Sequence, residues 1–118
     1  MTQFITKEYY ENVVKSFNGI SEESRKIMLD ERFGAEFTKS VREGLHELKG
    51  KTPEELKKVY AKARAEAREA VEEPDFEADM MDSLKTETGI EFNGDGKALI
   101  LDCVEIIIAI TADMLGIA

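Results

Sequence analysis

The sequence predicts an all-α fold: a compact bundle of five to six helices packed around an apolar C-terminal helix, with residues 1–118 forming one domain. Three observations predict it. Apolar residues recur at helical spacing along nearly the whole chain. Capping residues stand at the joints between those stretches. One long run, from Ala98 to Ala118, is apolar around most of its circumference, an arc of roughly 220° where a surface helix needs about 100°. A helix of that kind has to be wrapped by neighbours from its own chain or from a second copy.

The elements follow in order. Thr6 is placed to cap a first helix from Lys7 to Phe17, with Tyr9, Tyr10, Val13, Val14 and Phe17 on one side and Asn18-Gly19 to end it. Ser21 caps a second, whose first turn carries Glu22 and Glu23 at the positive end of the helix dipole. Gly34 stops or bends that helix, and a third runs from Ala35 to Lys49 on Phe37, Val41, Leu45 and Leu48. Thr52-Pro53-Glu54-Glu55 is a capping box with proline at the first helical position, opening a fourth helix to Glu72. Its inward stripe is narrow and rich in alanine. Pro74 separates it from a fifth, Asp75 to Thr86, and Gly89 closes that one. Asp95 is the expected N-cap of the last helix.

That last helix carries Asp102, Glu105 and Asp113 on a narrow strip, which excludes a membrane span needing about 20 apolar residues. Ile100, Val104, Ile107, Ile108 and Leu115 are the expected interface of a homodimer or higher oligomer, should the remaining helices leave part of the arc bare. The single Cys103 excludes a disulfide framework and fits a reducing cytoplasm. At the N-terminus Lys7, Glu8, Glu11 and Lys15 interrupt any apolar core of a signal peptide.

The net charge of −9 is unevenly spread: residues 51–65 sum to +3 and residues 66–82 to −7. Direct nucleic-acid binding needs a basic face and is not expected. The acidic run holds Glu66, Glu69, Glu72, Glu73, Asp75, Glu77, Asp79 and Asp82 against one base, Arg68. Carboxylates at the C-terminal end of a helix oppose its dipole by about 0.3–1 kcal/mol each. Stability alone would not place them there, so the run reads either as a solvated face that keeps an acidic protein soluble or as the candidate docking surface for a basic protein partner.

Metal chemistry offers two weaker patterns. The loop from Glu91 to Asp102 resembles a calcium-binding EF-hand loop, with Glu91, Asn93, Asp95 and Asp102 at ligand positions and Gly96 at the turn. It departs from that pattern in having Glu91 at the first position and Leu99 at the ninth. The pairs Glu66/Glu69 and Asp102/Glu105 have the spacing for shared magnesium, as in a nucleotide hydrolase, without the doubled glutamates of the helical pyrophosphohydrolases. No resident cofactor is expected. With His46 alone and one cysteine on an apolar face, nucleophilic and zinc chemistry have few groups to use, and a binding protein is expected rather than an enzyme. An inhibitor, immunity or anti-defence protein that occupies a nucleic-acid-binding surface is the expected type.

Overall fold

The computed structural model describes residues 5–92 and 94–116. They form six helices: α1 (Lys7–Ser16), α2 (Glu22–Met28), α3 (Glu31–Leu48), α4 (Pro53–Val71), α5 (Phe76–Thr88) and α6 (Gly96–Leu115). No strand occurs among the described residues. All five other helices pack on α6, and α4 does so most extensively. Within α6 only Lys97 and Asp113 are exposed. The chain's own helices bury one stripe of the wide apolar arc and leave Ile100, Leu101, Val104, Ile107, Ile108, Met114 and Leu115 half-buried.

Leu99, Cys103, Ile106 and Ile110 recur every three or four residues on α6 and form one stripe at the centre of the core. Around them lie Tyr10 and Val14 of α1, Met28 of α2, Phe37 and Val41 of α3, and Leu84 of α5. Burial pushes the Cys103 thiol up to about 12, so it stays protonated as an inert core group. The short helices are held by each other's ends. The Arg25 guanidinium of α2 donates to the carbonyls of Val14 and Lys15, which the end of α1 leaves without helical partners. In return the buried Tyr10 hydroxyl donates to the Met28 carbonyl at the end of α2, at 2.8 Å. Burial holds that phenol far above its ordinary pKa.

Both cap signals at the basic middle of the chain are realised. Thr52 and Glu55 exchange backbone and side-chain hydrogen bonds at 3.0 and 3.2 Å, the capping box expected of them. The break between the second and third helices falls elsewhere than expected. Gly34 lies inside α3, and the chain turns instead at Leu29 and Asp30, whose carboxylate accepts from the Arg32 amide. Gly34 serves packing: a Cβ there would sit 3.3 Å from the Tyr10 ring. The close approach of α1, not a helix end, is what calls for glycine. At the other end, α5 continues two residues past Thr86 before Gly89 closes it at φ +76°, and α6 begins at Gly96.

Candidate protein-docking surface

The acidic run folds as an elbow between α4 and α5. Val71, 4% exposed, anchors the end of α4 in the interior, and Leu84 does the same for α5. Between them the backbone turns tightly, with Glu73 donating to the Ala70 carbonyl and Phe76 to that of Glu73, each at 3.1 Å. This reversal brings carboxylates from two helices to one corner. Glu66, Glu69, Glu72, Glu73, Asp75, Asp79 and Asp82 are exposed, and Glu77 is half-buried. Asp75 occupies the N-cap position of α5 without capping it. Among the described residues Glu66 alone of the eight has an ion pair, with Lys62 at 3.9 Å.

The eight do not act as one group. Glu73, Asp75 and Asp79 line a groove of about 640 Å³ together with Phe76, Met80 and Ile100. Glu66 and Glu69 stand further back along α4. Glu77 turns toward the start of α6, its Cγ 2.9 Å from where a Cβ on Gly96 would lie. Sequence reading missed the apolar part of this groove. Phe76 and Met80 recur four residues apart and read as core, but both are only half-buried and line the groove with the carboxylates. The corner thus carries exposed carboxylates beside an apolar patch.

The carboxylates of α6 have different work. Asp102 accepts the Ser21 amide at 3.1 Å, where α2 begins. Glu105 takes two bonds from the Arg64 guanidinium, at 2.9 and 3.1 Å, and this pairing holds the guanidinium above its ordinary pKa. Asp113 accepts from the Tyr9 hydroxyl at 2.6 Å. Burial first, then the Asp113 carboxylate, keeps the Tyr9 phenol well above its usual range. Each carboxylate that interrupts the apolar run thus ties α6 to a different neighbour. The pairs Glu66/Glu69 and Asp102/Glu105 form no group of three carboxylates among the described residues. Arg64 stands against Glu105 as its counter-ion, while Glu66 and Glu69 face solvent.

The glycine-rich loop is likewise engaged within the molecule. Asp95 caps α6 by accepting the Ala98 amide at 3.0 Å, and Glu91 pairs with Lys85 at 3.0 Å. Asn93 lies outside the described residues. Among the described residues no three His, Cys, Asp or Glu side chains gather as a metal ion would need. Asp95→Ala is expected to cost about 1 kcal/mol of stability, the usual loss of an N-cap. The loss in a urea melt should be the same with and without added calcium. A calcium-induced rise in melting temperature that Asp95→Ala abolishes would instead make the loop a metal site.

The five residues expected at an oligomer interface, Ile100, Val104, Ile107, Ile108 and Leu115, are each half-buried by this chain. Ile107 packs on the core, Val104 lies beside Arg64 and Ala67 of α4, and Ile100 lines the acidic groove. Among the described residues no helix is long and apolar enough to cross a membrane. The class that fold and corner define is an all-α bundle with an acidic, apolar-centred groove. The chain matches no family model, no curated protein and no solved structure.

Proposed function

We propose that this protein acts by binding another protein, one with a basic surface, through the elbow between α4 and α5. It would work as an inhibitor, immunity or anti-defence protein in a reducing cytoplasm, covering a face that otherwise holds nucleic acid. One observation carries the reading: Glu73, Asp75 and Asp79 make no ion pair among the described residues, and they line one groove with half-buried Phe76, Met80 and Ile100. Carboxylates kept for solubility alone have no need of an apolar patch between them. Basic side chains would meet the carboxylates, and an apolar one would enter the groove. The opposed potentials would speed encounter and reject acidic proteins.

The test combines capture with charge removal. A basic protein retained from host lysate by the wild-type chain should be lost when Glu73→Gln, Asp75→Asn and Asp79→Asn are combined. Association should slow by about tenfold, and its dependence on salt should flatten. Because all three side chains are exposed, folding should be unchanged. Equal binding by the variant, with the same salt slope, would leave these carboxylates as a merely solvated face.

A further inference from the structure

A second concave region, sharing no residue with the elbow, lies between α1, the end of α2 and α3. It is a cavity of about 300 Å³, at the lower end of the range that small ligands occupy. Tyr10, Met28 and Leu29 give it an apolar floor. Gly34 and Ala35, adjacent on α3, bring almost no side chain into the space. Ala35 is exposed, so packing of the core does not dictate its size.

Five charged side chains line the cavity, and three of them are already matched. Lys7 of α1 pairs with Glu31 of α3 at 2.6 Å, both exposed. Asp30 pairs with Arg32 and caps α3. Glu11 and Arg42 are the other two. Glu11 is half-buried and makes no ion pair among the described residues. A carboxylate so placed gives up part of its hydration without gaining a counter-ion. The Arg42 Nη2 donates to the Ile5 carbonyl at 3.0 Å, which holds the guanidinium beside the start of α1. Among the described residues no carboxylate pairs with that charge.

A ligand of one sign suits neither group. An anion would gain Arg42 but face Glu11, and a cation would gain Glu11 but face Arg42. A molecule with opposite charges at its two ends matches both. Ile5, where Arg42 is held, precedes Glu11 by more than one turn of helix, so the two charges stand on the order of 6–9 Å apart. The charges of a single α-amino acid are too close together for that, whereas an extended dipeptide spans about 7 Å. We propose that this cavity binds a free dipeptide carrying an apolar side chain. Its carboxylate lies on Arg42, whose planar guanidinium can offer two parallel N–H bonds, and its ammonium lies on Glu11. Its side chain rests on the floor of Tyr10, Met28 and Leu29. The site does not depend on what binds at the elbow.

Calorimetry of the whole chain with glycyl-leucine, alanyl-leucine and alanyl-phenylalanine tests it. At least one should bind, and acetylating its amine or amidating its carboxylate should each weaken binding at least about tenfold. Glu11→Gln should weaken the free dipeptide as much, but should not weaken the acetylated one further. Arg42→Gln should show the same relation to the amidated one. General damage to the fold would not give that crossed pattern. Ala35→Phe, at an exposed position, should fill the space and abolish binding, with circular dichroism to check that the helices remain. No binding of any of the three at millimolar concentration overturns the proposal. So does binding that survives loss of either charge on the dipeptide, or that both Glu11→Gln and Arg42→Gln leave unchanged.

Discussion

Ile106→Ala is expected to remove about 2–5 kcal/mol of folding stability, a large share of the roughly 5–15 kcal/mol a domain of this kind possesses. Ile106 is fully buried on α6, the helix on which every other helix packs. Its side chain lies in the stripe with Leu99, Cys103 and Ile110, and the walls of the space it fills come from several helices at once. Those walls cannot all move inward together, so a cavity remains and its cost adds to the lost burial. Ile108→Ala, two residues away and only half-buried, should lose less than half as much. Urea titrations give the comparison, read as a shift in midpoint at constant slope. Equal losses at the two positions would mean that α6 is not the centre of the bundle.

That contrast between neighbouring isoleucines marks what the sequence could and could not convey. The helices themselves were legible because local signals were self-contained. Thr6, Ser21, Thr52 and Asp95 all cap as expected, each accepting an amide within its own first turn. Apolar periodicity also identified α6 as the central helix. It could not say which part of a 220° arc faces the core and which faces α4, because the arc is apolar throughout and only its edges are marked, by the acidic strip. The break before α3 was misplaced for a related reason. Gly34 has the composition of a stop, and only the Tyr10 ring of another helix shows that it is a close contact instead.

Of the candidate surface, the acidic half was readable, since charge needs no partner to be counted. The apolar half was not. Phe76, Met80 and Ile100 come from two helices, and their sharing one groove with Glu73 and Asp79 depends on how the elbow meets α6. The long-range ties of Asp102, Glu105 and Asp113 were hidden in the same way. Read along α6 they form one acidic strip, but Ser21, Arg64 and Tyr9 reach them from three other parts of the chain.

Thr111→Val is expected to cost about 1–3 kcal/mol, although it keeps the shape of the side chain and exchanges a hydroxyl for a methyl in an apolar helix. Thr111 is fully buried and its Oγ1 lies 2.8 Å from the Ile107 carbonyl and 2.8 Å from the Tyr60 hydroxyl. A threonine has one hydroxyl proton. If it goes to Ile107, then Tyr60 must be the donor in the bond between the two side chains. Removing Oγ1 strands the Tyr60 proton, in a residue only 8% exposed, where α4 crosses α6. The penalty is that of a buried polar group left without a partner, and it exceeds what the bond itself contributes. Tyr60→Phe should cost less, because Thr111 keeps its bond to Ile107. The double variant removes the stranded hydroxyl together with its lost acceptor, so its loss should fall short of the sum of the two single losses by at least about 0.5 kcal/mol. Urea midpoints for the three variants and the wild type close the cycle. Strict additivity would mean that Tyr60 finds another acceptor when Thr111 is gone, and that this bond does not hold α4 in place on α6.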